Sequence, residues 1–484
     1  MPLTAALPPP RPFYPIIARV RTTGDSVTAP DPSVLDRIVK AYDIRGTYPD
    51  QIDAEICQAL GAGFGVFIAE NEPLTTAVVV ARDMRPSGPE LVNAFAEGVM
   101  GQGLDVIDIG MASTDLLYFA SGKLDLPGVM FTASHNPAEY NGIKLCRSGA
   151  APVGQDSGLA RIKEVASTGA VEVAADSRGS RSKQDVMADF ADHVRGFVNP
   201  SDLRPLKVVA DTANGMGGLV VPEIFAELPF ELEVMYPELD GTFPNHEANP
   251  IEAKNLVDLQ ARVLETGADI GLAFDGDADR VFLVDEKAEP VSGSLTTALL
   301  ARAMLSEHPG SKVIYNLICS KAVPEVIVEH GGKAVRSRVG HSFIKQMMAD
   351  TGAVFGGEHS AHYYFRDNWR ADSGLIASVM VLEELSRFEG PLSALLAPLK
   401  RYEASGEINT RVSDAEAVID HVDEHFGAAD QDRLDGLTVD LDDWWFNLRP
   451  SNTEPLLRLN LEAATSAEVE ARVAEVQRVM AAAG

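Results

Sequence analysis

The chain has 484 residues, of which 45% are hydrophobic and 23% charged, a soluble globular composition that excludes collagen-like, coiled-coil and disordered classes for most of its length. At about 150 residues per domain, this length predicts roughly three domains, with two or four also compatible. The net charge of −30 opposes non-specific binding to nucleic acid or to anionic lipid, so we expect neither a nucleic-acid partner nor a membrane role.

Cysteine usage indicates the compartment. Cys57, Cys146 and Cys319 lie far apart among apolar or small residues, a pattern typical of reduced core thiols and not of a disulfide framework or a zinc site. No apolar run approaches the ~18 residues needed to cross a bilayer. The opening residues also lack the basic stretch and apolar stretch of a signal peptide. We therefore expect a cytoplasmic protein.

The first residues differ from the rest of the chain. Residues 1–30 are rich in proline and have no hydrophobic period, which predicts a disordered extension. From Ser33 the pattern changes, because the apolar residues between Val34 and Val39 follow a helical spacing that breaks at a later glycine.

Three later segments share one plan: a short apolar run, a polar or Gly/Pro-rich turn, and a helical pattern. They begin at Thr75, Pro205 and Ser311. Continuous apolar strands alternating with helices are typical of parallel sheets in α/β layers. Their spacing of ~100–130 residues predicts three successive α/β domains. We place these domains at residues 31–180, 181–291 and 292–400.

The last part of the chain, residues 401–484, has a different character. From Glu403 onward it contains 18 acidic and 6 basic residues, a net charge of −12. Its apolar and polar residues alternate as in strands, and Thr465 and Glu468 have the spacing of a capping box before a closing helix. We expect a smaller α+β domain here.

The first candidate for chemistry is a serine in residues 128–144. The apolar run GVMF predicts a strand that delivers Ser134 into a non-helical loop, at the strand end where α/β proteins place functional groups. A lone serine is also common as a cap or a turn residue. The neighbours of this serine all have hydrogen-bond donors for an anion: His135, Asn136, Asn141 and Lys144. These neighbours favour a functional serine.

The second candidate is a group of aspartates at alternate positions, Asp275, Asp277 and Asp279, between two apolar runs. Three converging carboxylates repel one another unless a cation is present, and hard oxygen ligands indicate Mg²⁺. An EF-hand is excluded because Arg280 occupies the position that requires glycine and the flanking segments are strands. The alternative interpretation is a solvated acidic turn.

The third candidate is the loop within residues 355–365. It contains Glu358, His359, Ser360 and His362 between apolar residues. Carboxylate, hydroxyl and imidazole groups can hydrogen-bond to neighbouring sugar hydroxyls. On its own, a core histidine or a plain turn explains this segment equally well.

The fourth candidate is a proline-bounded loop near the C-terminus. It has a guanidinium, hydroxyls and an amide, together with free backbone N–H groups, which suit a phosphate clamp. The side chains are Arg449, Ser451, Asn452 and Thr453. Arg45 and Arg85 are further cations, each predicted in a loop after an apolar segment, with a surface salt bridge as the alternative for each.

Other motifs give no support to competing enzyme classes. The run GAGFG at Gly61 follows a helical pattern, so it is not the glycine-rich turn of a dinucleotide site. The sequence contains no Walker A, HExxH, CxxC or GxSxG motif. Nucleotide-dependent kinases and zinc hydrolases thereby lose their main support.

Taken in order, KAYDIRG, TASHNP, DGDADR, GEHS and RPSNTEP resemble the motifs of the α-D-phosphohexomutase family, specifically its bacterial phosphomannomutase/phosphoglucomutase members. The resemblance extends from about Val39 to the C-terminus. It implies four domains, three related α/β domains and a smaller α+β C-terminal domain, in agreement with the organisation predicted from the patterns.

The resemblance also implies a role for each motif. Ser134 corresponds to the serine that carries the phosphoryl group and that holds Mg²⁺ together with Asp275, Asp277 and Asp279. The implied catalytic residues are Ser134, Arg45, His135, Lys144 and His341, with proton transfer at Lys144 or His341. The implied substrate-binding residues are Tyr42, Arg280, Glu358, Ser360, His362, Arg449, Ser451, Asn452 and Thr453.

The implied activity is reversible phosphoryl transfer between C1 and C6 of a hexose phosphate, mannose 1-phosphate and mannose 6-phosphate, through a phosphoserine enzyme and a hexose 1,6-bisphosphate. The expected partners are small-molecule hexose phosphates, and we expect a monomer or a weak homo-oligomer. Phosphoglucomutase or dual activity is the nearest alternative, because mannose and glucose differ at C2 whereas the motifs concern O3, O4 and phosphate.

Three further alternatives lie beyond that pair of sugars. Phosphoglucosamine mutase is less favoured, because that branch usually has glutamine where His359 stands. A phosphoserine-type sugar-phosphate phosphatase would let water discharge Ser134. A non-catalytic sugar-phosphate sensor would be expected to lose Ser134 or one of the three aspartates, and all four are present.

Overall fold

The computed structural model describes residues 29–170, 172–450 and 456–483, and the elements below are those of these residues. The predicted disordered extension lies outside them up to residue 28, so its conformation stays a prediction. The three cysteines are buried and free, as the sequence predicts. Within the described residues, no helix combines the length and the apolar character needed to cross a membrane.

The first domain is built on a mixed sheet. Its strands are β1 (Ile44–Thr47), β2 (Ala77–Arg82), β3 (Asp105–Met111), β4 (Gly128–Phe131), β5 (Tyr140–Arg147), β6 (Ala151–Pro152) and β7 (Arg181–Lys183). Its helices are α1 (Pro32–Ile38), α2 (Ala54–Asn71), α3 (Gly88–Gly101), α4 (Thr114–Leu124) and α5 (Leu159–Thr168). The strand order is β1-β5-β4-β2-β3-β7, with β6 beside β5.

Two details of this domain differ from the sequence prediction. Arg45, predicted in a loop, lies in β1, because residues 44–47 pair with β5. Strand β7 is parallel to β3, so a boundary between residues 180 and 181 would remove an edge strand from the first sheet. The backbone groups of β3 at that edge need a partner, and β7 supplies it.

The second and third domains each contain a smaller mixed sheet. The second has α6 (Met187–Arg195), β8 (Lys207–Asp211), α7 (Gly217–Phe225), β9 (Glu231–Met235), α8 (Val257–Thr266), β10 (Ile270–Phe274), β11 (Val281–Asp285) and β12 (Pro290–Val291). The third has α9 (Gly293–Glu307), β13 (Lys312–Asn316), α10 (Ala322–Glu329), β14 (Lys333–Ser337), α11 (His341–Thr351), β15 (Phe355–Gly357), β16 (Tyr363–Phe365), α12 (Gly374–Arg387) and α13 (Leu392–Leu396).

These three sheets repeat one topology. Their shared strand orders are β3-β2-β4-β5, β9-β8-β10-β11 and β14-β13-β15-β16. In each, the first three strands are parallel and the fourth is antiparallel to its neighbour. The prediction of three related α/β domains is therefore confirmed. The connection between the third and fourth strands falls at the carboxyl end of the parallel strands each time.

The C-terminal domain is built differently. Its elements are β17 (Glu403–Arg411), α14 (Ala415–His425), β18 (Asp430–Asp432), β19 (Leu437–Asp440), β20 (Trp444–Pro450), β21 (Leu456–Ala463) and α15 (Ser466–Ala482). The sheet is antiparallel throughout, in the order β17-β21-β20-β19-β18. The hydroxyl of Thr465 accepts a hydrogen bond from the Glu468 N–H at the start of α15, as the capping spacing predicts. The α+β prediction is confirmed.

The apolar cores divide the molecule unequally. One cluster is continuous from the first sheet through the second and third domains and includes Met130, Phe190, Leu272, Leu299 and Phe355. The C-terminal domain instead has a core of its own. The first three domains are thus joined by buried apolar contact, whereas the fourth is a separately packed body.

The glycine run at Gly61 lies inside α2, as predicted. A Cβ at Gly61 would fall 2.1 Å from the backbone oxygen of Phe95 on α3. Glycine is therefore needed there for close approach of two helices, and the run is a packing device rather than a phosphate-binding turn.

Candidate active site

Three loops meet at the carboxyl ends of the parallel strands. They are residues 132–139, 275–280 and 358–362, and each connects the third and fourth strands of its sheet. Each also contains a non-glycine residue with positive φ: Ser134 at 50°, Ala278 at 58° and Ala361 at 66°. Such conformations cost energy and persist where the surrounding structure fixes them, often at functional sites.

The Ser134 hydroxyl faces the aspartate loop of the second domain. Its Oγ lies 2.8 Å from Asp275 Oδ2 and 3.2 Å from both Arg280 Nη2 and His135 Nδ1. Arg280 also donates to Asp275 at 2.8 and 2.9 Å. The serine therefore connects two domains instead of capping its own turn, and the four side chains form one hydrogen-bonded cluster.

The three aspartates lie at the centre of the site. Asp275, Asp277 and Asp279 are fully buried, and ligand oxygens from all three lie within 4.8 Å of one another. Burial excludes the solvated acidic turn. Lys144 Nζ lies 2.6 Å from Asp279 and 3.2 Å from Asp277, while Arg280 pairs with Asp275. Two cations of the chain therefore offset part of the carboxylate repulsion.

A divalent cation fits this donor set. Asp277 Oδ1 and Asp279 Oδ1 are buried and have no hydrogen-bond partner among the described residues. An unpaired buried carboxylate oxygen is costly, whereas coordination to a hard cation satisfies it. The Ser134 hydroxyl beside Asp275 would bring a fourth oxygen to the same place.

The buried charged groups of the cluster have pKa values that are shifted in different directions. Burial raises the pKa of Asp275 to about 7 in spite of Arg280. Burial also raises the pKa of Asp277, but Lys144 and a hydrogen bond from Thr114 Oγ1 at 2.6 Å outweigh it, and the net shift is downward. Burial lowers the pKa of Lys144, yet Asp277 and Asp279 bring it well above its ordinary value. Lys144 is therefore a fixed cation here.

The histidines around the cluster differ in charge. Burial, followed by Arg280, lowers the pKa of His135 to about 2. Burial and Lys345 hold the pKa of His341 well below 6.5. Burial lowers the pKa of His362 as well, but Asp279 and Asp372 raise it by more. His135 and His341 are therefore neutral at pH 7, whereas the pKa of His362 is raised above its ordinary value.

The predicted sugar-binding loop has an ordered carboxylate. Glu358 is buried, with Oε1 accepting from the Gly340 N–H at 3.2 Å and Oε2 accepting from Ser360 Oγ at 2.9 Å. His341 follows Gly340, and its ring packs edge-on to Tyr42 with centroids 5.0 Å apart. These contacts therefore connect Tyr42, His341, Glu358 and Ser360 into one group.

His362 and His359 leave this loop in different directions. His362 Nδ1 lies 2.8 Å from Asp372 Oδ2 and 3.8 Å from Asp279 Oδ1. His359 Nδ1 lies 3.0 Å from the hydroxyl of Ser294 on α9. His362 therefore belongs to the aspartate cluster, whereas His359 is held by a helix of its own domain.

The structure corrects what the sequence predicted for two arginines, Arg449 and Arg85. Arg449 was predicted in a loop but lies in β20, where it pairs with Arg458 of β21, and its Nη2 is 2.9 Å from Glu407. Ser451, Asn452 and Thr453 lie outside the described residues. Arg45 bridges Asp43 and Asn136, both at 2.6 Å. Arg85 is fully buried, so a surface salt bridge is wrong for it.

Comparisons with known proteins agree along the chain. Residues 36–171, 188–289 and 292–402 match "Phosphoglucomutase/phosphomannomutase, alpha/beta/alpha domain" I, II and III, and residues 407–479 match the C-terminal domain. The chain belongs to this family. A phosphomannomutase of Salmonella montevideo is 39% identical over 452 residues, which cover 91% of this chain and 98% of that protein. The phosphomannomutase of Escherichia coli K12 is also 39% identical, covering 88% and 94%.

A solved structure supports the same assignment. A phosphoglucomutase/phosphomannomutase family protein from Burkholderia thailandensis superposes with a TM-score of 0.84 at 33% identity, covering 94% of this chain and 98% of that one. The protein is thus a phosphohexose mutase, an isomerase of carbohydrate metabolism with a four-domain α/β architecture.

Sequence reasoning missed several members of the mutase site. Thr114, which donates to Asp277, follows the carboxyl end of β3, and its position at a strand end was a usable signal. Asp372 and Lys345 form a buried ion pair at 2.8 Å behind His362. Both stand in unremarkable sequence, so only the tertiary structure reveals them.

Proposed function

We propose that this enzyme interconverts mannose 1-phosphate and mannose 6-phosphate through a phosphoryl group carried on Ser134. The supporting observation is the position of Ser134 Oγ, 2.8 Å from Asp275 in a cluster where Asp277 Oδ1 and Asp279 Oδ1 have no hydrogen-bond partner among the described residues. A hydroxyl fixed beside a buried anionic cluster suits a group that alternately carries and releases a phosphoryl group.

Asp275, Asp277 and Asp279, together with the group on Ser134, would hold Mg²⁺. The ion would supply positive charge to the phosphoryl oxygens during transfer. Arg280 and Lys144 supply further positive charge from the chain itself, since both are buried cations within the cluster. Preorganised charge of this kind is the main contribution that a protein makes to phosphoryl transfer.

The proposed reaction has two transfers. In the first, the bond between phosphorus and Ser134 Oγ breaks as a bond forms to O6 of mannose 1-phosphate, giving the 1,6-bisphosphate. Of the two candidates for proton transfer, Lys144 and His341, Lys144 stays a cation, so the proton of the O6 hydroxyl is taken by the neutral ring of His341 and passes on to Ser134 Oγ, which is left as a hydroxyl. In the second transfer, after the bisphosphate has turned end for end, Ser134 Oγ takes the phosphoryl group from O1, and a proton returns to that oxygen.

The other site residues bind the sugar, the transferring phosphoryl group or the phosphate that is not being transferred. Glu358 and Ser360 contact sugar hydroxyls, and Tyr42 belongs to the same group. Arg45 and His135 lie beside the transferring group. Arg449, with Ser451, Asn452 and Thr453, holds whichever phosphate is not being transferred. A guanidinium suits this role because its fork binds either phosphate in the same way.

The preference for mannose is supported by the names of the relatives, since both quoted bacterial proteins are phosphomannomutases. Activity on glucose phosphates is the second candidate, supported by the Burkholderia protein, which is named a phosphoglucomutase/phosphomannomutase family protein. A cytoplasmic location is supported by the three free, buried thiols.

The test combines mass spectrometry with kinetics. Intact mass should show a fractional phosphate that maps to Ser134 and that mannose 1,6-bisphosphate restores after exhaustive turnover. Ser134→Ala should lower turnover by several orders of magnitude, whereas Ser201→Ala, at an exposed serine, should not. Side-by-side kcat/KM values on mannose, glucose and glucosamine 1-phosphates decide the sugar. A Ser134→Ala enzyme with near-normal activity would end the phosphoserine proposal.

A further inference from the structure

A segment of the first domain packs against the loop that contains Ser134, residues 132–139. After β2, the polar residues Asp83, Arg85 and Ser87 alternate, and all three are buried. Each contacts the chain between Thr132 and Asn141, which surrounds Ser134. The mechanism described above uses none of the three.

Arg85 makes the largest set of these contacts. Its Nη1 donates to the backbone oxygens of Pro137 at 2.7 Å and Tyr140 at 2.9 Å. Its Nη2 donates to the backbone oxygens of Ser134 at 2.9 Å and Asn136 at 2.6 Å. One guanidinium thus satisfies four carbonyl groups of a partly buried, non-helical segment, which would otherwise carry a desolvation cost.

The two flanking residues hold Arg85 and the ends of the loop. Asp83 accepts from the Nε of Arg85 at 3.1 Å and from its backbone N–H at 3.0 Å. Asp83 also interacts with the hydroxyl of Thr132, whose Oγ1 accepts from the Ser134 N–H at 2.9 Å. Ser87 Oγ accepts from the amide of Asn141 at 2.8 Å, where β5 has begun.

The second domain closes the remaining side. The Phe243 ring lies 5.3 Å from the Arg85 guanidinium carbon, within the range of a cation–π contact. A Cβ at Gly241 would fall 2.7 Å from Arg85 Cα, and one at Gly276 would fall 2.4 Å from the Ser134 carbonyl oxygen. The second domain therefore leaves the guanidinium and the serine loop little room to move.

We propose that Arg85 is a positioning residue for phosphoryl transfer, which fixes the backbone of the serine loop so that Ser134 Oγ meets the aspartate cluster. The proposal rests on the proposed function, because it takes Ser134 as the phosphoryl carrier. Ser134 has a positive φ, and its carbonyl is tied to Arg85 while its hydroxyl contacts Asp275. Losing the first contact frees a strained backbone to relax.

The contribution is geometric rather than a matter of net charge. Asp83 already neutralises Arg85 within hydrogen-bonding distance. A lysine would keep the charge but has a single ammonium with three donors, which cannot match four carbonyls and one carboxylate spread over a planar fork. Arg85→Lys therefore separates positioning from electrostatics.

The experiment compares Arg85→Lys with Arg302→Lys, in which a partly buried arginine paired with Glu384 lies away from the site. Phosphoenzyme is mixed with mannose 6-phosphate, quenched, and followed by intact mass to give the transfer rate per phosphorylated molecule. We expect Arg85→Lys to transfer about 10–100-fold more slowly, with KM within about threefold of wild type, because small misplacements of a reacting group have effects of this size. Arg302→Lys should match the wild type.

A purely structural role predicts another result. Arg85→Lys would then melt at a lower temperature but, below that temperature, would transfer phosphate at the wild-type rate per phosphorylated molecule, and this result would overturn the proposal. If Arg85→Lys does not fold, Asp83→Asn and Ser87→Ala replace it, each expected to slow transfer about threefold to tenfold. Wild-type rates in both would equally overturn it.

The same assay separates this proposal from the proposed function. If the wild type carries no phosphate on Ser134 and Ser134→Ala stays active, the proposed function is wrong and the inference falls with it. If Ser134 is phosphorylated and Ser134→Ala is inactive while Arg85→Lys transfers normally, only the inference is wrong.

Discussion

The two ends of the proposed site are packed in different ways. At one end, the serine and aspartate loops lie on sheets that share a continuous apolar core, and the side chains of Ser134 and the three aspartates are almost completely buried. At the other end, Arg449 lies on a domain with its own core. Under the proposed function, the contrast means that the reacting groups are held in place by the shared core, while Arg449, proposed to recognise the distal phosphate, can move with its domain.

The contacts between the third and fourth domains support this contrast. Lys321 Nζ pairs with Asp440 at 2.6 Å, and the Val339 N–H donates to Asp435 at 3.2 Å. Such partly exposed polar contacts contribute little net stability and exchange readily with water. A hinge between the end of α13 and the start of β17, near residue 400, would let the fourth domain open each time the bisphosphate turns.

The largest expected effect comes from breaking the buried end. Asp277→Asn removes an anionic ligand without changing side-chain size, and we expect kcat to fall by about 10²–10³-fold and the Mg²⁺ requirement to rise. Activity titrated with Mg²⁺ measures both. Asp189→Asn, at an exposed ion pair, is the control. Full activity of either enzyme in excess chelator would contradict the metal assignment.

A smaller effect is expected at Arg449 in the fourth domain. Arg449→Ala should raise KM for mannose 1-phosphate about tenfold and lower kcat severalfold, because the second phosphate must be recaptured after each reversal. Mg²⁺ affinity should stay near the wild-type value. Steady-state kinetics provides the test, with Arg433→Ala, an exposed arginine of the same domain, as the control.

Scattering measures the motion itself. The radius of gyration of the wild type should fall when mannose 1,6-bisphosphate is added, and Arg449→Ala should lose this compaction. An unchanged wild-type radius, or an Arg449→Ala enzyme with normal KM and kcat, would mean that the fourth domain does not act as a clamp.

The sequence was most informative where local pattern and function coincide. Continuous apolar runs followed by polar loops predicted the three related domains, and they placed Ser134, Asp275 and Glu358 at strand ends, where the structure has them. Burial of a parallel sheet requires such runs, and strand ends are where side chains from neighbouring strands converge.

The missing parts depend on contacts between distant segments. Arg85 looked like a surface cation because its four carbonyl partners belong to a loop about fifty residues later. Arg449 was assigned to a loop because Pro450 and Pro455 follow it closely, yet pairing with β21 extends the strand through Pro450. The local sequence predicts neither the burial of Arg85 nor the strand position of Arg449, because the segment that each contacts lies elsewhere in the chain.

The smallest expected effect concerns Asp115, which connects the first and third domains. Asp115 is fully buried and accepts hydrogen bonds from the hydroxyls of Ser113 and of Ser373, which begins α12 of the third domain. Burial raises its pKa to about 7, with Asp279 and Asp372 adding to the shift. The first and third domains are therefore joined here through a carboxyl group that takes up a proton near pH 7, unlike the ion pairs of the fourth domain.

The sign of the pH effect follows from this shift. The unfolded carboxyl has its ordinary pKa near 3.8, so between pH 4 and 7 the folded state holds a proton that the unfolded state has lost. The stabilising contribution is fully present below pH 4 and is lost as the pH rises through 7. Asp115→Asn removes this dependence, because asparagine stays neutral at every pH.

The expected result is a change in relative melting temperature. From pH 5.5 to pH 8, Asp115 should cost the wild type about 2 kcal/mol, so the Tm of Asp115→Asn relative to wild type should rise by about 2–4 °C. Scans are made in chelator, because a cation at Asp279 would favour ionised Asp115. Asp105→Asn, at an exposed carboxylate of the same domain, should show a constant difference. Parallel Tm curves for Asp115→Asn and wild type would show that the pKa of folded Asp115 does not lie near 7 and would contradict this prediction.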